Sequence, residues 1–203
     1  MIKKDIIQPI NDLIEKRAKE LKNKIAYADE TEKISYENLN IETKSLSFYL
    51  NEKKLNYGDA ASIILPNSVN WIVSCFAIIR LGCLVVPISY DSTLSEIEYK
   101  LNDSNTKILI TTNEIKDKIK KQLELKNEIQ FITVDDQKAD LNLTKIRKIN
   151  HQSILLKDDI NKPSYILYTS GTTGQPKGVL LTTRGMLWVC LLYTSPSPRD
   201  LST

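Results

Sequence analysis

The chain of 203 residues is poor in the residues that many catalytic and metal sites rely on. It has one histidine, His151, in the polar stretch NHQSILLKDD, and nothing around it suggests the partners of a Ser-His-Asp relay. Its three cysteines, Cys75, Cys83 and Cys190, are an odd number without a CxxC pair. That argues against a disulfide framework or a cysteine zinc site and fits a reducing cytosol. An excess of one charge is lacking too. Lys and Arg total 28 against 25 Asp and Glu, with no basic block, so no nucleic-acid partner is expected. The opening MIKKDIIQPINDLIEK has neither the apolar core nor the small-residue cleavage site of a secretory signal. The longest apolar run, Val69 to Ile88, could reach across a bilayer by length alone. Arg80 sits within it, however, and Gly82 and Pro87 interrupt it. It reads better as a buried helix stopping at Gly82 and then a buried strand. No membrane span is expected, and the expected location is cytoplasmic.

The remaining pattern is ordinary for a globular protein, with a hydrophobic fraction of 41%. Ile10, Leu13, Ile14, Ala18 and Leu21 recur at helical spacing, which predicts a helix over 9–23. Short strand-like pieces, KIAYAD and KISYENL, flank the polar DETE turn. A helix is expected over 36–54, then a strand in AASIILP, the helix of 69–81, a strand in CLVVPIS, and a short helix over 94–101 capped by Ser92 or Thr93. TKILITT and IQFITV read as strands around a helix carrying Ile115, Ile119 and Leu123. This alternation predicts an α/β fold with a mostly parallel sheet and flanking helices. Asp135 to Asp159 is polar and reads as an irregular connection.

The chemistry concentrates in Ile166 to Leu181, ILYTSGTTGQPKGVLL. Thr169, Ser170, Thr172 and Thr173 supply hydroxyls. Gly171 and Gly174 let backbone N–H groups face a ligand without a Cβ in the way, and successive N–H groups in such turns form an anion-binding nest. Lys177 adds a full charge, and Pro176 fixes the backbone just before it. At about 4 Å from a phosphate oxygen that charge is worth roughly 4 kcal/mol at an effective dielectric near 20, before desolvation. The spacing is not that of a Walker A loop, because Gly178 follows Lys177 where Ser or Thr is required. Nor is it a dinucleotide fingerprint, since no glycine lies between Gly171 and Gly174. A flexible linker would not be expected between apolar runs as dense as SYILY and GVLL. The GVLL that follows reads as a strand, so no helix dipole would stand behind the bound phosphate.

YTSGTTGQPKGV resembles the phosphate-loop signature of the AMP-forming adenylating enzymes: acyl-CoA synthetases, peptide-synthetase adenylation domains and luciferases. ISYENL, GDAASIILPNS, FAIIRLGCLVVPIS and DDINKPSYILYTSGTTG resemble other elements of that family in its order, from Ile10 to about Val189. One departure is Thr182-Thr183, where the family often has threonine-histidine. The resemblance implies the amino-terminal part of the adenylate-forming large domain, incomplete, over 1–189.

It further implies an acid–thiol ligase of the acyl-CoA synthetase type, of the kind that serves fatty acid metabolism. Such an enzyme uses ATP with magnesium to turn a carboxylic acid into an acyl-adenylate and passes the acyl group to coenzyme A. Thr169, Ser170, Gly171, Thr172, Thr173, Gly174 and Lys177 are implied to bind the ATP phosphates. The catalytic residues and the acyl pocket are expected further on, so the 203-residue chain alone is expected to be inactive. The alternatives are an enzyme that loads a carrier protein and a non-catalytic phosphate-binding module. After Val189 the sequence CLLYTSPSPRDLST loses periodicity, and 190–203 is expected to be non-native or disordered. Its LYTS echoes Leu167 to Ser170, but Pro-Ser-Pro follows it in place of a nest and a lysine.

Overall fold

The structure is a computed structural model, and it describes residues 7–135, 142–149, 159–169 and 175–194. The chain starts with helix α1 (Ile10–Leu21), a small antiparallel hairpin of β1 (Ile25–Ala28) and β2 (Lys33–Ser35), and helix α2 (Tyr36–Glu52). Strands and helices then alternate: β3 (Ala60–Ile63), α3 (Val69–Arg80), β4 (Leu84–Pro87), α4 (Leu94–Asp103), β5 (Ile108–Thr111), α5 (Asn113–Gln122) and β6 (Gln130–Thr133). A short helix α6 (Leu143–Ile146), a hairpin of β7 (Pro163–Thr169) and β8 (Lys177–Thr182), and helix α7 (Thr183–Thr194) follow. The main sheet has the order β6-β5-β3-β4-β7-β8. Every pairing in it is parallel except that of β7 with β8. The alternation in the sequence thus gives the α/β architecture it predicts.

Successive residues of a strand face opposite sides, and both sides of the central strands are apolar. Ile63, Val85 and Ile110 face a core with Leu46 of α2 and Val73 and Ile78 of α3. Ile64, Val86 and Leu109 face a second core with Ile97 and Leu101 of α4 and Ile119 of α5. The sheet is therefore covered on both faces. Its helices begin where side-chain caps satisfy the first free N–H groups: Ser35 for α2, Ser68 for α3, Thr93 for α4 and Thr112 for α5. Of the two expected caps for α4 the structure uses Thr93, in a reciprocal capping box with Glu96.

The long apolar run is helix α3, a turn at Gly82 with φ 71°, and strand β4. No helix among the described residues is long and apolar enough to cross a membrane. Arg80, the residue that breaks the run, is fully buried. It donates to Thr43 Oγ1 at 2.6 Å, Asn11 Oδ1 at 2.7 Å and Asn40 Oδ1 at 2.9 Å, and so ties α1, α2 and α3 together. A buried guanidinium costs less when its hydrogens are matched in this way.

One expectation is corrected. The stretch after Asp135 is not wholly irregular, because α6 lies within it, with Leu143 and Ile146 fully buried. Asn142 caps this single turn, and an apolar i, i+3 pair is too short to register as periodicity. Arg147 follows, also fully buried, and pairs with Glu32 and Glu42. Its Nε lies 3.0 Å from Glu42 Oε2, but the two atoms are not aligned as a hydrogen bond. Burial pushes the Glu42 carboxyl above its ordinary range despite the attraction of Arg147.

At the other end, α7 runs to Thr194, past Val189, where the sequence changes character. Residues 195–203 lie outside the described residues.

Candidate phosphate-loop site

Strand β7 joins the sheet beside β4, with Val85 opposite Tyr165, and β8 returns antiparallel along its outer side. The strand expected from GVLL is β8. Both flanks of the glycine- and threonine-rich segment are therefore fixed in one hairpin. At its mouth Thr169 is paired directly with Lys177, and Tyr168 with Gly178. Directly opposed residues of an antiparallel pair project from the same face, with Cβ atoms about 4.5–5.5 Å apart. The hydroxyl of Thr169 and the ammonium stem of Lys177 thus leave the hairpin side by side, and both residues are exposed. Of the expected phosphate-binding residues, the structure brings these two together. Ser170, Gly171, Thr172, Thr173 and Gly174 lie outside the described residues, as does His151.

The parallel strands place this mouth on a defined edge. Strands β3, β4 and β7 run the same way, so Thr169 ends its strand on the edge where Pro66 and Ser89 follow theirs. A cavity of about 500 Å³ opens there, lined by Pro66, Asn67 and Trp71 from the β3–α3 side and by Ile88, Ser89 and Tyr90 after β4. Helix α3 after β3 packs on one face of the sheet, and α4 after β4 on the other. The carboxyl ends of two adjacent strands whose connections part in this way are where open α/β sheets hold ligands.

Burial pushes the Cys75 and Cys83 thiols up to about 12, well away from nucleophilic thiolates. Among the described residues no group of His, Cys, Asp and Glu is arranged to hold a metal ion. Sequence reasoning missed Tyr168, which reaches helix α4 from the hairpin mouth, and Gly178, which lies against Tyr168 and Ile166 of the paired strand. The only trace in the sequence is that a tyrosine and a glycine flank the loop on opposite strands.

Comparison with known proteins decides the family. The sequence pattern of the AMP-binding enzymes matches residues 14–201. The chain belongs to this family. A mycosubtilin synthase of Bacillus subtilis is 32% identical over 177 residues, which is 87% of this chain and 6% of that protein. A fatty acyl CoA synthetase of Mycobacterium tuberculosis shares the fold with a TM-score of 0.74 and 23% identity, over 86% of this chain and 34% of its own. O-succinylbenzoate coenzyme A synthetase of Bacillus subtilis, in complex with AMP, gives a TM-score of 0.73 and 22% identity, over 94% and 47%. The chain therefore spans a small part of the mycosubtilin synthase and between a third and a half of the two synthetases. In fold, this AMP-binding enzyme chain is the amino-terminal part of the adenylate-forming domain.

Proposed function

We propose that these residues belong to an ATP-dependent, AMP-forming enzyme that activates a carboxylic acid as its acyl-adenylate and then passes the acyl group to the thiol of coenzyme A. The observation that carries this reading is the hairpin mouth, where Thr169 and Lys177 emerge side by side and enclose the hydroxyl- and glycine-rich segment. In the first step a carboxylate oxygen attacks the α-phosphorus of ATP, and the bond to pyrophosphate breaks. The approach of one anion to another is the obstacle. Lys177 lowers it by neutralising polyphosphate charge, and the hydroxyls of Thr169, Ser170, Thr172 and Thr173 hold the leaving pyrophosphate by hydrogen bonds. The backbone of Gly171 and Gly174 completes the nest. Magnesium would enter on the nucleotide's own oxygens, and no described residue is assigned to it.

A second reading shares the first step and differs in the acceptor, which would be the phosphopantetheine thiol of a carrier protein. It is supported by the likeness to a dimodular nonribosomal peptide synthase of Bacillus subtilis, 27% identical over 184 residues, which is above the identity to either synthetase compared. The test is acid-dependent exchange of pyrophosphate into ATP by the whole protein, over a panel of aliphatic acids, aromatic acids and amino acids. Acyl transfer to coenzyme A is then compared with transfer to a carrier domain. Exchange with one class of acid is expected, and its absence with every acid overturns the proposal. Residues 1–203 alone are expected to support no exchange above background.

A further inference from the structure

The geometry points to Tyr168 as the residue that positions the mouth of the phosphate loop, by clamping the end of β7 to the last turn of α4. This rests on the reading of the loop given above. The Tyr168 hydroxyl donates to Asp103 Oδ2 at 2.7 Å and lies 3.4 Å from the Lys100 carbonyl oxygen. The Tyr99 ring meets the Tyr168 ring edge-on, with centroids 6.1 Å apart at 76°. Helix α4 is itself anchored, because Ile97 and Leu101 are buried in the core beneath it. A continuous path therefore runs from that core through Lys100 and Asp103 to Tyr168, next to Thr169.

Two details of the sequence gain a reason from this clamp. Asp103 is the last residue of α4, and a carboxylate there opposes the helix dipole. The phenol hydrogen bond offsets that cost, and burial together with the adjacent carboxylate holds the Tyr168 phenol above its ordinary range, so it remains a donor. Gly178, opposite Tyr168, is the second detail. A Cβ there would come 3.0 Å from Ile166 Cγ2 and 3.4 Å from two carbons of the Tyr168 ring. The glycine after Lys177 leaves the space in which the ring lies between helix and hairpin.

The test is amide hydrogen exchange at Lys177, Gly178 and Thr169, with Leu109 of buried β5 as the internal reference. Tyr168→Phe keeps the ring and removes the hydrogen bond. Exchange at the mouth is expected to rise roughly ten- to a hundredfold, the worth of a hydrogen bond to a charged group, with Leu109 unchanged. Asp103→Asn, which still accepts from the phenol, should stay within a few-fold of wild type. If Tyr168→Phe also raises exchange at Leu109, Asp103→Ala removes the same bond from the other side and is read in the same way. Unchanged exchange at the mouth overturns the clamp. In the whole protein, Tyr168→Phe is expected to raise KM for ATP several-fold and leave KM for the acid unchanged. Faster exchange with an unchanged KM for ATP leaves the clamp standing and overturns the phosphate-loop reading on which it rests.

Discussion

The centre of the sheet and its outer hairpin follow different rules. Every residue of β3 and β5 is buried, whereas β8 is exposed from Lys177 to Leu180. Leu180 is 56% exposed, against 0% for Ile63 and Leu109. The central strands use both faces for packing and have no side chain left for a ligand. The hairpin commits one strand to the sheet and leaves the residues at its mouth free to meet a small molecule. The proposed site thus lies where packing asks least, on a segment that a rigid scaffold holds from one side.

This contrast can be broken hardest on the scaffold side, at Arg147. Arg147→Ala would leave Glu42 buried without its counter-charge and is expected to cost about 3–5 kcal/mol of stability in denaturant unfolding. A loss below about 1 kcal/mol would show that α6 is not part of the frame. A smaller effect is expected at Thr93. Removing its capping oxygen in Thr93→Ala should cost about 1 kcal/mol, read as a shift in the same transition.

Asp29 offers a pH-dependent version. The Val69 amide, then the Thr31 hydroxyl and the Thr31 and Glu32 amides, hold its carboxyl down at about 2, against an ordinary 3.8. The contribution of a group depressed in the folded state is present above its unfolded value and is lost as pH falls through the folded one. Wild type should therefore lose stability more steeply than Asp29→Asn between pH 3.8 and about 2. Parallel acid limbs would remove Asp29 from the link between the β1–β2 hairpin and α3. The smallest effect on stability is expected at the mouth itself. Lys177→Ala should leave the unfolding transition within about 0.5 kcal/mol of wild type, because its exposed side chain packs against little.

The same division explains what could be read from the sequence. The run from Val69 to Ile88 is legible as helix, glycine turn and strand because apolar density and Gly82 act locally. So is β8, whose apolar run restarts directly after the loop lysine. Helix α6 is not legible, since one turn with two buried residues has no period to detect. Tyr168 is not legible as a positioning residue either. Its partner Asp103 lies 65 residues earlier, and only the packing of α4 beside β7 brings them together. The buried role of Arg80 is half legible. Its place in an apolar run says that it must find partners, but Asn11, Asn40 and Thr43 come from two other helices.

The central claim is that the segment from Thr169 to Lys177 holds the polyphosphate of ATP in an adenylating enzyme. The most direct measurement is acid-dependent ATP–pyrophosphate exchange by the whole protein, wild type against Lys177→Ala, with unfolding followed on the same samples. The account predicts a fall of about 10²–10³-fold in exchange, the usual effect of removing one group that stabilises developing charge, with an unchanged unfolding transition. Equal exchange rates in the two proteins would contradict it.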